Sequence, residues 1–251
     1  MSVIRQMIGT SSLLSTLVLE KVDRWLRHLL PGRCAFCLGT AVRGAPWCQH
    51  CLIELPWNEH ACSRCAEPLP NRVAPSGRYC GRCLSDPPSF IRAHVPLRYS
   101  GEVAAQVQAF KFSGSPRAGA ILLALLERSL PGTGERLPEV LIAVPLHEER
   151  AKQRGFDQAD WLASRLARRL GMRYLRARRV RSTPTQRGLS RKRRRTNLDG
   201  AFAIDTPLPY RVAILDDVMT TGATLDALGK ACQSAGATHV EVWAVARTPM
   251  T

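Results

Sequence analysis

The chain has 251 residues, 45% of them hydrophobic, and carries a formal net charge of +16 from 36 Lys and Arg against 20 Asp and Glu. That apolar fraction is enough for a packed core, which excludes wholesale disorder, and with a mean hydropathy of -0.13 and no apolar run near the roughly 18–20 residues of a membrane span, an integral membrane protein is excluded too. Only five of the basic residues are Lys, and the planar donor fork of Arg suits phosphate, so anionic partners are expected; plain codon bias is the alternative.

Residues 1–30 raise the question of a signal peptide, because Arg5 precedes the apolar stretch 11–19. No small-x-small cleavage site follows, and the next residues continue an amphipathic helical pattern with Val22, Trp25, Leu26, Leu29 and Leu30 on one face. An amphipathic docking helix ending before Pro31-Gly32 is expected, with peripheral membrane contact as its sharper alternative. Nothing in this pattern exports the chain, so the cytoplasm is the expected location.

Eight of nine cysteines then fall in four C-x-x-C pairs: Cys34/Cys37, Cys48/Cys51, Cys62/Cys65 and Cys80/Cys83. A C-x-x-C turn aims two thiolates at one metal, and two such turns complete the four-sulfur shell of structural zinc, so four turns imply two Zn²⁺ ions. Pro and Gly punctuate 31–88 too densely for long helices, and so little apolar material leaves metal binding to supply much of the folding free energy. A disulfide framework and an iron-sulfur site are the competing accounts; the first needs an oxidising compartment. Pairing adjacent turns closes the shorter loops, while interleaved pairing stays open.

After Pro87-Pro88 the pattern changes. An extended segment over 93–99 leads to helices over 102–112 and 118–130, then to a strand at 140–146, a helix at 157–170, strands at 173–180 and 211–215, a helix at 221–235 and a strand at 239–246. Such alternation predicts an α/β domain with a mostly parallel sheet and covering helices over 90–251, after a small zinc-ribbon domain over 31–88. Cys232, in the predicted helix among Ala and Leu, is expected to be a buried small hydrophobe.

One strand end carries chemistry. In parallel sheets ligands bind beyond the carboxyl ends of strands, and here an apolar run over 211–215 meets Asp216 and Asp217, then Thr220, Thr221, Gly222, Ala223 and Thr224 at the start of a helix. Adjacent carboxylates can accept hydrogen bonds from two vicinal ribose hydroxyls, and a small-residue turn at a helix N-terminus offers N–H groups to phosphate. The spacing suits a ribose 5-phosphate; a solvated turn or helix cap is the plainer account. No G-x-x-x-x-G-K-[ST] loop occurs, which disfavours an ATPase of that type.

The run ILDDVMTTGAT (214–224) resembles the phosphoribosyl pyrophosphate (PRPP) motif of type I phosphoribosyltransferases, whose Rossmann-like fold the sequence is expected to share. Together with the cysteine turns and the segments 99–114, 144–159 and 183–202, it resembles more narrowly the ComF/GntX family of competence-associated, phosphoribosyltransferase-like proteins. The resemblance implies a Mg²⁺·PRPP ligand and transfer of its 5-phosphoribosyl group to an acceptor that the residues do not name. It also implies a pyrophosphate loop at His147, Arg150, Lys152, Arg154 and Gly155. A flexible loop over Gln186, Arg187, Gly188, Leu189, Ser190, Arg191 and Lys192 would close over PRPP and exclude water. Purine-salvage members carry an acid where this chain has Thr220, so their proton-acceptor role has no counterpart here.

A rival from another class comes from charge. Between Asp160 and Asp199 lie fourteen basic residues and no acid, a pattern that suits single-stranded DNA; the family resemblance implies that such a protein would act in DNA uptake without turnover. Only Trp161 and Tyr174 interleave them, so a base-stacking platform is poorly supported.

Overall fold

The computed structural model of the chain describes residues 32–70, 78–130, 136–146, 155–181, 198 and 200–250. These fall into two compact units, Met1–Leu55 and Pro56–Thr251, which separate the first four paired cysteines from the second four. The amphipathic helix expected over 1–30 lies outside the described residues.

Among the described residues of the first unit, 32–55, regular structure consists of one bridge, Arg33 to Thr40, and helix α1, Gln49–Glu54. Its buried apolar residues are Cys34, Ala41, Trp47, Leu52 and Leu55. So few buried side chains around the first cluster cannot offset the ordering of these described residues by burial alone, as expected of a metal-built unit.

In the second unit a short helix α2, Gly81–Ser85, precedes a two-part edge strand, β1, Arg92–His94, and β2, Leu97–Arg98. Both parts pair with the same neighbour, and the interruption falls at Val95-Pro96, where Pro lacks the N–H a ladder needs. Next come α3, Gly101–Phe112, and α4, Pro116–Ser129; Ser115 caps α4 by accepting the Ala118 N–H, and Pro116 occupies its first turn. Then follow β3, Val140–Ala143, α5, Gln158–Leu170, and β4, Arg173–Arg176. A hairpin of β5, Arg178–Arg179, with β6, Phe202–Ala203, leads to β7, Arg211–Met219, α6, Ala223–Ser234, and β8, His239–Arg247.

The main sheet runs β1-β8-β7-β3-β4, every pairing parallel, with β2 extending the β1 edge along β8. Helix α5 packs on β3, β4 and β7, α4 on β8, and α6 on β7 and β8. Covered strands read as apolar runs, and β3 is buried at all four positions. The expected mostly parallel α/β sheet is thus present. Cys232 is fully buried in α6, and burial pushes its thiol up to about 12.

Three strands differ from expectation, and the one expected over 140–146 ends at Ala143. The strand expected to stop at Leu215 runs on to Met219, its ladder continuing through Asp216, Val218 and Met219 opposite Ala244, Ala246 and Arg247 of β8. Burial of Asp217 and Met219 keeps the segment in the sheet despite its carboxylates. The strand expected over 173–180 divides instead: β4 joins the main sheet, whereas β5 turns away to pair with β6. Among the described residues no helix is long and apolar enough to cross a membrane.

Candidate functional site

The eight paired cysteines form two four-sulfur clusters, Cys34, Cys37, Cys48 and Cys51 in one and Cys62, Cys65, Cys80 and Cys83 in the other. Adjacent turns therefore pair, and the interleaved alternative is excluded. Each cluster is built the same way. Its first turn folds back on itself, Cys34 N donating to Gly39 O at 2.7 Å and Cys62 N to Glu67 O at 2.8 Å, with Leu38 and Ala66 held at positive φ. A left-handed non-glycine residue is strained, and it recurs at the same place in both turns. The second turn of each cluster starts a helix, α1 after Cys48 and α2 after Cys80.

The donor set fits zinc. Tetrahedral Zn–S bonds of about 2.3 Å place the sulfurs about 3.8 Å apart, and Cys37 Sγ lies 3.7 Å from Cys48 Sγ and Cys65 Sγ 3.6 Å from Cys80 Sγ. Backbone N–H groups of Phe36, Cys51 and Cys80 donate to Cys34, Cys48 and Cys62 Sγ. In the second cluster the hydrogen bond with Cys65, opposed by burial and assisted by backbone N–H donors, pulls Cys62 down to about 4, while burial pushes Cys83 up to about 12. Thiols so crowded cannot all ionise unaided, and a divalent cation resolves the conflict. Zinc here is structural: all four positions are thiolates, which leaves none open for chemistry.

At the end of β7 the two carboxylates have unequal surroundings. Asp217 is buried, and its Oδ1 lies 2.9 Å from Lys111 Nζ of α3. Asp216 is half-buried and accepts the Asp217 N–H at 2.8 Å. Desolvation pushes its carboxyl up to about 8; the neighbouring Asp217 carboxylate adds to the rise and Lys111 opposes it.

Beyond them Gly222 makes the turn at φ +76° and caps α6; a side chain there would be strained, and its Cβ would meet Met219 Cε at 2.8 Å. Thr220 is exposed, Thr221 and Thr224 half-buried, and Ala223 N donates to Thr221 Oγ1 at 3.4 Å. The N–H groups of Thr221 and Gly222 take no partner among the described residues. An unencumbered turn with the positive end of a twelve-residue helix behind it favours an anion. Behind the turn sits fully buried Arg247, which donates to the carbonyls of Met219 and Thr220.

At the neighbouring strand end His147, Arg150, Lys152 and Arg154 lie outside the described residues, but the base of that segment does not. Asp157 caps α5 through Asp160 N at 3.0 Å and also accepts the Leu146 N–H at 2.9 Å, so one carboxylate holds both flanks. Burial raises its pKa against those two donors. Gly155, at φ +71°, turns the chain back toward the helix. The expected loop over Gln186–Lys192 also lies outside the described residues.

Among the described residues, at least four arginines of the basic segment are engaged. Asp160 takes Arg176 and the Tyr174 hydroxyl, Asp205 takes Arg178 through two bonds, Glu127 takes Arg169, and Arg165 stacks on Trp161 at 3.9 Å. Lys111, Glu67, Asp157 and Arg247 escape sequence reasoning, since each acts on a residue far along the chain or serves a segment whose ends only folding brings together.

The Double zinc ribbon domain family matches residues 25–84. Competence protein F of Haemophilus influenzae is 35% identical over 226 residues, which cover 86% of this chain and 90% of that protein. The chain belongs to the ComF family. Other ComF relatives include the DNA utilization protein YhgH of Escherichia coli K12, 33% identical over 87% of this chain and 98% of its own length. Competence protein ComFC of Streptococcus pneumoniae matches at 28% identity over 42% of this chain and 47% of that protein. Among solved structures, the orotate phosphoribosyltransferase of Aeropyrum pernix overlaps 52% of this ComF chain and 61% of its own, at 22% identity and a TM-score of 0.33.

Proposed function

We propose that this ComF-family chain binds Mg²⁺·PRPP at the end of β7 and transfers the 5-phosphoribosyl group to an acceptor nucleophile. The supporting observation is the continuity of one element: a buried parallel strand carries Asp216 and Asp217, and within three residues the chain makes the glycine turn that starts α6. Asp216 and Asp217 hold the ribose hydroxyls, Thr220–Thr224 the 5-phosphate, and the segment based on Asp157 the pyrophosphate, through His147, Arg150, Lys152, Arg154 and Gly155. In the reaction the bond between ribose C1 and pyrophosphate oxygen breaks, the bond from C1 to the acceptor forms, and the acceptor loses a proton. Charge develops on the departing pyrophosphate, where the arginines and lysine of that segment stabilise it. The zinc-ribbon module over 31–88 and the ligand module over 90–251 are the working division. Intact thiols and a PRPP supply both fit the cytoplasm.

Calorimetric titration of PRPP with Mg²⁺ tests this. Saturable binding to wild type, lost in Asp216→Ala/Asp217→Ala, is the expected result. No binding to folded, zinc-loaded wild type would leave the fold as a scaffold.

The second reading is a nucleic-acid role without turnover, favoured by the competence and DNA-utilization names of its relatives. Filter binding to single-stranded DNA across a salt series addresses it: no retention at low salt removes that role, and a steep salt slope indicates contact through phosphates.

A further inference from the structure

We infer that Arg247 is a positioning residue for the phosphate-binding turn, and that it links the turn to the second four-cysteine centre so that metal and ligand are bound cooperatively. The inference rests on the ligand reading proposed above. Its basis is one guanidinium at the end of β8, with no exposed surface, which bonds to two distant places besides its own neighbour Thr248.

On one side are the zinc-ribbon residues. Nε donates to the carbonyl of Cys65, itself a sulfur ligand, at 3.2 Å, and Nη2 lies 2.5 Å from Glu67 Oε2. Glu67 is buried two residues beyond Cys65, and its other oxygen accepts the Met250 N–H at 2.8 Å. On the other side is the end of β7: Nη1 donates to Met219 O at 3.1 Å and also to the carbonyls of Thr220 and Thr248. The planar fork of Arg can serve such divergent acceptors at once, which a Lys point charge cannot.

Peptide geometry then carries the effect across the turn. No peptide bond among the described residues is cis, so the C=O and N–H of each unit point in opposite directions. With the Thr220 carbonyl drawn to Arg247, the Thr221 N–H of the same unit faces away from it, toward the open side of the turn where phosphate would bind. The strained left-handed Ala66 sits between Cys65 and Glu67, so the direction of that carbonyl and that carboxylate depends on the turn staying closed around its metal. Helix α2, which begins directly after Cys80, supplies a second contact: Arg82 Nη2 lies 3.7 Å from where a Cβ on Gly222 would sit, and its Nη1 is 3.1 Å from Met250 Sδ. Both halves of the second centre thus abut the turn, and energetic coupling between two binding sites is reciprocal.

Full-length protein and the probe ribose 5-phosphate test the inference. Glu67→Gln keeps the shape of the partner but removes its charge, and Arg247→Lys keeps the charge but removes the fork. Each should still hold two zinc ions by elemental analysis yet bind ribose 5-phosphate about tenfold more weakly. In wild type, saturating ribose 5-phosphate should raise the affinity of one zinc site by about the same factor in equilibrium competition with a chelator, and that gain should vanish in Glu67→Gln. Hydrogen exchange supplies a readout that needs no ligand: in Cys83→Ser, amides over 219–224 should exchange faster while those of β3 do not. Unchanged affinity in Glu67→Gln, or unchanged exchange over 219–224 in Cys83→Ser, overturns the inference. If wild type fails to bind ribose 5-phosphate the ligand reading falls, and the exchange result alone then decides whether the clamp orders the turn. Should Arg247→Lys exchange faster in β3 as well, it has lost the fold, and Glu67→Gln and Cys83→Ser decide.

Discussion

Replacing Lys111 by Met isolates the electrostatics of the ligand end. The substitution keeps the length of the side chain and removes the ammonium 2.9 Å from Asp217 Oδ1. Removing one partner of a buried ion pair typically costs 3–5 kcal/mol, because the other charge stays buried alone. Here Lys111 is 19% exposed and Asp217 8%, so water screens part of the pair and the expected loss is about 2–4 kcal/mol at pH 8. With a urea slope near 2 kcal/mol/M this lowers the midpoint by about 1–2 M, read from the near-ultraviolet signal of buried Trp243. Lys111 also opposes the rise of Asp216, so the variant takes up a proton on the carboxylate pair more readily than wild type. Wild type and variant both hold the Asp216 proton at pH 5, so the loss there should be no larger than at pH 8. A loss below about 0.5 kcal/mol at both pH 5 and pH 8 would refute the pairing of Lys111 with these carboxylates.

Four further outcomes follow from the same geometry. Because Asp216 is raised from 3.8 to about 8, the folded chain holds a proton that the unfolded chain has released between those values; the contribution of this group to stability therefore falls as pH rises through that window. Ribose hydroxyls donate best to the ionised carboxylate, so ribose 5-phosphate affinity should climb from pH 6 to about 8 and then level, with proton release visible by calorimetry in buffers of different ionisation heat. Gly222→Ala should destabilise by about 1–2 kcal/mol from the left-handed backbone, with a further cost for shifting Met219, and should weaken phosphate binding; a variant of wild-type urea midpoint would contradict the turn geometry. Elemental analysis should find two Zn per chain, falling to one in Cys51→Ser and in Cys65→Ser; a loss of both ions from either variant would mean the clusters are not separate centres.

The cysteine turns and the acid-to-glycine run were legible because each is local: ligand spacing and turn chemistry lie within a few residues. What escaped was either long-range or a matter of burial. Nothing near position 111 marks it as the partner of Asp217, and no spacing joins Glu67 to Arg247 across 180 residues. The end of β7 was misplaced because a carboxylate reads as a strand terminus, whereas Lys111 and the covering helices let the ladder pass through the pair. Residues 173–180 carry Arg at four of the first seven positions and no clean alternation, so the break at Ala177 between two different sheets left no periodic trace.

The order of the sheet bears on how the protein resists sticking to itself. A parallel sheet leaves two outer strands whose unused hydrogen-bonding groups could recruit another chain into a growing stack. Here those strands are β1 with β2 on one margin and β4 on the other, and they hold Arg92, Arg98, Arg173 and Arg176. Pro96 breaks the first margin, and the bridge from Trp57 to Leu97 covers part of it. Charged side chains on such margins oppose edge-to-edge aggregation even where, as with Arg92 and Arg176, each has an acidic partner, so some of the arginine surplus serves solubility whether or not any phosphate is bound.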